Sequence, residues 1–306
     1  MLTDQRQPKQ SLVIAAFAAI YIIWGSTFIA VLIAIHEIPP FLMGGARFTT
    51  AGLLLFVFAR LKKHAVPSAG SAIRTGLTGM LTLFMGTGAV AFVEQYITSG
   101  FAAIVVATVP IWFILLDKRQ WKNNFSNKWI VAGLLIGFIG VLTLFADKQS
   151  LDFSGDPMKL WSVVILLIGT VCWAIGSLYT KYADLQGSTL MKASIQMIAA
   201  GIFSLIAGVI YGEPARFDLN SISQSSILAL LYLIFIGSLI GYMAYFWLLT
   251  VRSPAIVGTY AYVNPIVAVF LGWLIAGETI SNQQVVALVI ILSGVILVTL
   301  SKSKQE

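Results

Sequence analysis

The sequence predicts an all-α integral membrane protein in which ten transmembrane helices form two halves of five, inverted relative to each other. Of the 306 residues, 58% are hydrophobic and only 10% are charged, whereas soluble domains carry about 25% charged residues. Apolar segments recur from residue 12 to residue 300, and short motifs of the first half return in the second. These observations exclude a soluble globular protein and a soluble domain with a single membrane anchor.

Five apolar segments in the first half are each close to the roughly 20 residues that a membrane-spanning helix needs. The first follows Arg6 and Lys9 but is too long for a signal peptide, whose apolar core has about 7–15 residues, so we expect it to be retained. The third interleaves threonines with glycines, which favours a helix buried among other helices. The five segments are 12–35, 39–59, 73–93, 97–116 and 128–146.

Five further apolar segments follow in the second half, at 160–181, 190–211, 225–249, 254–276 and 282–301. The longest connections are 60–72, 147–159 and 212–224, and none is long enough for a soluble domain. A phosphate-binding loop with a Gly-Lys-Ser/Thr ending is also absent from the sequence, so ATP hydrolysis is not the expected energy source.

The distribution of basic residues predicts the orientation in the membrane. With the N-terminus in the cytoplasm, fifteen Lys and Arg residues fall on the cytoplasmic side, three on the opposite side and one within a span. Such a bias in short loops sets topology, and an even number of spans returns the C-terminus to the cytoplasm. The formal net charge of +7 therefore reflects topology, and we expect no nucleic-acid partner. The predicted location is the cytoplasmic (inner) membrane of a bacterium.

Matching motifs indicate an internal repeat over 12–146 and 160–301. Trp24-Gly25-Ser26 corresponds to Trp173 with Gly176-Ser177, and Gly52 corresponds to Gly201 at the same offset of 149 residues. Later in each half, Pro110 corresponds to Pro265 and Gly140 to Gly294, at offsets of 155 and 154. Because each half has an odd number of spans, the two halves must cross the membrane in opposite directions, an arrangement that recurs in secondary transporters.

Several motifs resemble the EamA family of the drug/metabolite transporter superfamily, close to its YedA/PecM-like branch. They are Trp24-Gly25-Ser26-Thr27-Phe28, Pro39-Pro40 with Gly45-Ala46-Arg47-Phe48, Ser99-Gly100-Phe101-Ala102-Ala103 with Val109-Pro110, Ser253-Pro254-Ala255, Tyr260-Ala261-Tyr262-Val263-Asn264-Pro265 and Gly277-Glu278. The resemblance covers nearly the whole chain and implies two EamA repeats, alternating access and export of small metabolites. Asp117-Lys118-Arg119 stands where family members often carry a Gly-Glu pair, which weakens the symmetry at that point.

Arg47 lies about eight residues inside the second segment, where a charged side chain costs at least about 2.5 kcal/mol. Its guanidinium could bind a substrate carboxylate or phosphate. It could equally bond to backbone carbonyls or extend towards the membrane surface.

Glu94 ends the third segment, with Thr87 seven residues earlier on the same face. Glu94 could couple transport to protons, pair with Arg47 or neutralise a substrate amine. It could also be an ordinary acidic residue at a helix end.

The ninth segment is expected to line the transport pathway. Tyr260 and Asn264 are four residues apart and therefore share a helix face, whereas Tyr262 is turned elsewhere; we expect the segment that holds all three to line the path. Pro265 removes a backbone donor and can kink the helix, and Pro110 can do the same in the fourth segment. Interrupted helices at corresponding positions of two halves indicate a transporter binding site, although a packing kink is the alternative.

Aromatic side chains could line the cavity or pack the core. Trp24 and Trp173 lie midway through their segments, where an anchoring role at the membrane interface does not apply. They could stack on a substrate ring or ammonium group. The other aromatic candidates are Trp112, Tyr242, Tyr245 and Trp247.

The favoured function is a secondary-active exporter of small metabolites, with amino acids and related compounds as the expected substrates. The alternatives are an organic cation or drug efflux transporter, or a non-transporting membrane scaffold or sensor.

We do not expect an enzyme, since the spans contain one cysteine and, away from their ends, no histidine or aspartate. No cofactor or metal site is expected from two histidines, His36 and His64. A small-molecule substrate and membrane lipid are the expected partners, and the oligomeric state stays open.

Overall fold

The computed structural model describes residues 9–144, 157–276 and 282–303, and these ranges contain helices and their connections without a β-strand. The motif Gly277-Glu278 and the basic residues Arg6, Lys148 and Lys304 lie outside the described residues, as do the last two residues of the first predicted repeat, 145–146.

The first half begins with three long helices, α1 (Gln10–Ile35), α2 (Pro40–Leu61) and α3 (Ala69–Val93). Shorter helices follow: α4 (Ser99–Val106), α5 (Val109–Leu116), α6 (Trp121–Ser126) and α7 (Lys128–Leu144).

The second half repeats three long helices, α8 (Pro157–Tyr182), α9 (Thr189–Ile210) and α10 (Gln224–Val251). They are followed by α11 (Pro254–Val257), α12 (Tyr260–Ala276) and α13 (Asn282–Ser303).

Six helices are long and apolar enough to cross a membrane, namely α1, α2, α3, α8, α9 and α10. A seventh span is obtained if the pair Phe101–Leu116 and Lys118–Ser126, bent by 64°, counts as one. Shorter apolar helices cover Lys128–Thr143 and Val285–Ser301. These lengths establish a helical protein with several membrane spans, and the number of ten stays a prediction.

Two predicted segments are divided in the structure. The fourth is interrupted at Ala107 and Thr108, so that Pro110 falls in the first turn of α5, where a missing backbone donor is tolerated. The ninth is divided at Gly258 and Thr259 into α11 and α12, whereas Pro265 lies inside α12. The interruption in each case precedes the proline that the sequence singled out.

Both α3 and α10 change to π-helical geometry near their middle, over Met80–Thr87 and Leu233–Tyr242. The two segments overlap when the halves are compared at the offset of 155 residues that relates the two prolines. π-Helical turns are rare and are frequent at functional sites.

Acidic side chains join the helix ends on the side of the molecule where α1 meets α2. Glu213 accepts hydrogen bonds from the amides of Phe41 and Leu42, at 3.2 and 2.8 Å, and so caps α2. Glu37 accepts bonds from the hydroxyl and amide of Ser223, both 2.7 Å, at the start of α10. The hydrogen bond from the Ser223 hydroxyl is the main reason that the pKa of Glu37 falls to about 2, so this carboxylate stays ionised.

Glycines bring helices of the two halves into reciprocal close contact. A Cβ added at Gly52 would lie 2.7 Å from the backbone nitrogen of Ile198, and one at Gly201 would lie 2.5 Å from that of Thr49. Thr49 and Ile198 differ by 149 residues, as the two glycines do. The α2–α9 crossing is therefore built from the same contact made twice.

The α7–α13 crossing shows the same reciprocity. A Cβ at Gly140 would lie 2.8 Å from the nitrogen of Ile291, and one at Gly294 would lie 2.5 Å from that of Gly137. Here both pairs differ by 154 residues. Small residues permit such close backbone approach between membrane helices.

Candidate functional site

A cavity of about 90 Å³ lies in the centre of the molecule, several times the space that one water molecule needs. Residues of α1, α2, α3, α8, α10 and α12 line it, together with Val106 of α4 and Val109 of α5. Both π-helical segments contribute, through Leu83, Gly86 and Thr87 on one side and Gly237, Ser238 and Tyr242 on the other.

One end of the cavity is closed by an aromatic cluster, which consists of Trp24, Trp173, Tyr245 and Tyr260. The ring centroids of all six pairs are 4.8–6.4 Å apart, and Trp24 and Trp173 meet edge to face at 5.5 Å. Such pairs add about 0.5–1.5 kcal/mol beyond their area burial. The hydroxyl of Tyr245 is hydrogen-bonded to Ser177 at 2.6 Å, which fixes the cluster to α8.

The cavity extends from this cluster towards the helix ends that carry Glu37. Its lining residues in α1 run from Trp24 to Val31, in the second half of that helix. On the other side of Trp24, Ile20 is fully buried and Tyr21 is hydrogen-bonded to Thr259 at 2.8 Å. The aromatic cluster and these contacts lie between the cavity and the end of α1 that carries Gln10.

Arg47 lines the cavity and is 5% exposed. Its Nε donates to the Ser238 hydroxyl at 2.9 Å, and its guanidinium carbon lies 4.9 Å from the centre of the Phe48 ring. None of the residues that line the cavity in the described ranges is acidic. The guanidinium therefore gives the cavity a positive charge.

Asn264 supplies a hydrogen-bond acceptor to the same cavity. The residue is 3% exposed, and in the described part of the chain its Oδ1 has no hydrogen-bond partner. An unpaired buried acceptor costs about 1–3 kcal/mol, which a bound solute that donates a hydrogen bond would recover. Tyr260, one turn earlier, belongs to the aromatic cluster.

Other polar groups on the wall donate to the protein itself. The Trp24 indole nitrogen donates to the Gly237 carbonyl at 3.2 Å. The hydroxyls of Thr27 and Thr170 donate to carbonyls one turn back in their own helices. Among the described residues, polar groups that remain for a solute are found at Arg47 with Ser238, at Asn264, and at the Trp173 indole nitrogen, which has no hydrogen-bond partner in these ranges.

Six of the sequence-predicted site residues line the cavity: Trp24, Arg47, Thr87, Tyr242, Tyr260 and Asn264. Three are placed elsewhere. Tyr262 is fully buried and donates to the Leu134 carbonyl of α7 at 3.0 Å, and Trp112 donates to the Thr108 hydroxyl at 3.1 Å.

Glu94, the third, follows α3 and is 6% exposed, and within the described ranges neither of its carboxylate oxygens has a hydrogen-bond partner. It does not line the central cavity.

Sequence reasoning missed several lining residues, chiefly Thr27, Phe48, Thr170 and Ser238. Hydroxyl and phenylalanine side chains are common in membrane helices, so their type alone carries little signal. The position of Ser238 next to Gly237, in a run of small residues, was the available signal. Among the described residues no group of three or more His, Cys, Asp or Glu side chains could hold a metal ion.

Comparison with known proteins identifies the family. The EamA-like transporter family matches residues 11–146 and again residues 160–300. The uncharacterized inner membrane transporter YedA of Escherichia coli (strain K12) is 39% identical over 289 residues, which cover 94% of this chain and 90% of YedA.

More distant relatives cover comparable lengths. The probable amino-acid metabolite efflux pump of Salmonella typhimurium is 25% identical over 282 residues, 90% of each chain. A protein of known crystal structure matches with a TM-score of 0.76 and 17% identity, covering 98% of this chain and 100% of the other, and supports the fold. Because both halves match the family and YedA aligns over nearly the full length, the chain belongs to the EamA-like transporter family and is a membrane transporter, not an enzyme.

Proposed function

We propose that this protein is a secondary-active transporter that exports small metabolites by alternating access, with amino acids and related zwitterions or anions as its substrates. The observation that carries the proposal is Arg47, a guanidinium in a buried cavity whose described lining contains no acidic residue. A guanidinium binds carboxylate and phosphate groups through paired hydrogen bonds. The aromatic surface and the free acceptor of Asn264 suit the apolar part and the amine of such a solute.

We also propose that ten spans are arranged as two inverted repeats over 12–146 and 160–301. The reciprocal glycine contacts support this arrangement, because a two-fold relation between the halves makes each contact occur twice. The π-helical segments of α3 and α10 support it further. In inverted-repeat transporters the substrate binds between the halves near the membrane midplane, and this cavity is lined by helices of both halves.

Glu94 is proposed to couple transport to protons. A buried carboxylate without a hydrogen-bond partner favours its protonated form in an apolar environment, and a change in its surroundings during transport would release the proton. The proposed location is the bacterial inner membrane with both termini in the cytoplasm, as the bias of basic residues indicates.

Two alternatives have weaker support. Efflux of an organic cation would use the aromatic cluster, but Arg47 would repel such a solute. A non-transporting scaffold or sensor has no need for a buried guanidinium that lines a cavity. The relative named as a probable amino-acid metabolite efflux pump favours the first proposal.

The test is transport by purified protein in proteoliposomes, with a panel of labelled amino acids, nucleosides, sugars and quaternary amines. For the transported amino acid, Arg47→Gln should raise the KM at least tenfold, since it removes a charged hydrogen-bond partner worth about 1.5–3 kcal/mol. Arg47→Lys should recover only part of this loss, because an ammonium group cannot reproduce the planar fork.

Arg60→Gln is the matched control. Arg60 lies on the same helix but is exposed, and it donates to the nearby His64 carbonyl. Uptake of quaternary amines without uptake of amino acids would contradict the proposal, and so would an Arg47→Gln variant with an unchanged KM.

A further inference from the structure

Behind the cavity wall, Gln196 of α9 is buried completely and does not itself line the cavity. It lies where α9 meets α3, and a Cβ added at Gly79 would lie 2.2 Å from the Gln196 carbonyl oxygen. The glycine thus lets the two backbones approach closely and brings the Gln196 side chain among α3, α8 and α10.

The amide of Gln196 makes three hydrogen bonds to three helices. Its Nε2 donates to the hydroxyl oxygens of Thr78 at 2.6 Å and Thr180 at 2.9 Å. Its Oε1 accepts a bond of 2.8 Å from the hydroxyl of Tyr242. Both donors and the acceptor of the side chain are therefore in use.

The orientation of this amide follows from its neighbours. The Thr78 hydroxyl donates its own proton to the Thr75 carbonyl at 2.7 Å, so its oxygen is left to accept from Gln196. The nitrogen of the amide must therefore face Thr78, and its oxygen must face Tyr242. The phenolic proton of Tyr242 consequently points to Gln196 and away from the cavity.

We propose that Gln196 is a positioning residue for substrate selection. It holds the ring of Tyr242 in the cavity wall and accepts the hydrogen bond that the Tyr242 hydroxyl donates. The Tyr242 hydroxyl is therefore not available as a donor to a solute. Selection of an acceptor group on the solute is then left to Arg47 with its partner Ser238 and to the Trp173 indole nitrogen, which lines the cavity and has no hydrogen-bond partner among the described residues. The solute specificity in this inference rests on the proposed transport function, whereas the link between Gln196 and Tyr242 does not.

The position of Gln196 supports this role. It is 149 residues after Arg47, the offset that also relates Gly52 to Gly201, so the two residues occupy the same place in the two halves. Arg47 bonds to Ser238 of α10 and lines the cavity, whereas Gln196 bonds to Thr78 of α3 and lies behind it. The same position of the repeat thus holds the charged Arg47 in the first half and the neutral Gln196 in the second. The amide of Gln196 accepts from Tyr242 and so removes a donor that would compete with Arg47.

The first test needs no substrate. With 3-fluorotyrosine at position 242, the ¹⁹F resonance reports on the environment of that ring in the purified full-length protein. Gln196→Met, which keeps the side-chain length but cannot hydrogen-bond, should shift or broaden the resonance. Ser194→Ala should leave it unchanged, because the Ser194 hydroxyl donates only within its own helix, to the Met191 carbonyl. A resonance that Gln196→Met does not change overturns the proposal.

The second test measures selectivity in proteoliposomes with L-methionine and L-methionine sulfoxide, which differ by one acceptor oxygen. Freed from Gln196, the Tyr242 hydroxyl can donate to that oxygen, in competition with the Thr82 hydroxyl oxygen 3.3 Å away, whose own proton goes to the Thr78 carbonyl. Gln196→Met should therefore raise the sulfoxide-to-methionine ratio of kcat/KM about three- to tenfold, the effect of one hydrogen bond. Ser194→Ala should keep the original ratio.

A double variant decides whether the effect passes through Tyr242. In Gln196→Met combined with Tyr242→Phe, the ratio should equal that of Tyr242→Phe alone, because the hydroxyl is gone. A ratio that stays raised in the double variant, or that Gln196→Met does not raise, overturns the proposal.

If Gln196→Met does not fold, Gln196→Asn withdraws the same amide by one methylene and serves both tests. Absence of transport of every amino acid in the panel, including methionine and its sulfoxide, by the unmodified protein contradicts the proposed function, while the ¹⁹F test still decides on Gln196.

Discussion

At the scale of single residues, the polar groups of this protein divide into those that are satisfied by the protein and those that are not. Trp24 and Gln196 direct their hydrogen-bonding groups into neighbouring helices. Arg47, Asn264 and Glu94 keep unused bonding capacity while buried. Since unpaired polar groups are costly away from water, a solute or a proton can offset the cost of burying these groups. The Trp173 indole nitrogen on the cavity wall is also without a partner among the described residues.

Glu94→Gln should abolish the pH dependence of transport, because the amide cannot take up and release a proton. The measurement is the initial rate in proteoliposomes between about pH 5.5 and 8, above the ordinary glutamate pKa of about 4.3, because burial raises the pKa of the Glu94 carboxyl. Glu213→Gln is a matched control, since Glu213 is also buried but bonds to the backbone at the start of α2. A Glu94→Gln variant that keeps the original pH profile would rule out the coupling role.

At the scale of helices, the architecture depends on glycines at crossings between the halves. The crossing of α2 and α9 has room for hydrogen atoms only at Gly52 and Gly201. The interruptions at Ala107–Thr108 and Gly258–Thr259 and the two π-helical segments all lie in helices next to the cavity. Two of the long helices without such features, α2 and α9, pack along each other.

Gly52→Ala and Gly201→Ala should each lower the free energy of unfolding by about 1–3 kcal/mol, the usual cost of overpacking. Gly70→Ala should instead raise it by about 0.4–1 kcal/mol, because a Cβ at Gly70 meets nothing within 4 Å. The measurement is reversible unfolding in mixed micelles. Equal effects of all three substitutions would contradict the close crossing.

At the scale of the whole molecule, sequence reasoning recovered the helical membrane fold and the residues whose chemistry stands out in an apolar chain. Arg47 was visible as a charge inside a span, and Tyr260 with Asn264 as a pair on one helix face. Gln196 was not visible, because a neutral amide gives little signal and its partners come from three other helices. The placement of Tyr262 against Leu134 likewise depends on packing that no local pattern contains.

The predicted topology can be tested in a Cys172→Ser background, since Cys172 is the only cysteine in the sequence. A membrane-impermeant maleimide should label Ser221→Cys in intact spheroplasts and should label Ala65→Cys only after permeabilisation. Both positions are exposed in the structure. The reverse pattern would place the termini outside the cytoplasm.

In the proposed alternating-access cycle, the positive charge of the cavity makes transport sensitive to the membrane potential. The energy of a unit charge changes by about 2.3 kcal/mol per 100 mV when it crosses the whole membrane potential. When the cavity closes to one side of the membrane and opens to the other, the electrical potential at Arg47 changes. A bound monoanion cancels the charge, so the potential acts mainly on the return of the empty protein. A zwitterion leaves the charge in place, so the potential acts on the step that carries the solute and also on the return step. The electrical behaviour of transport thus depends on the net charge of the solute.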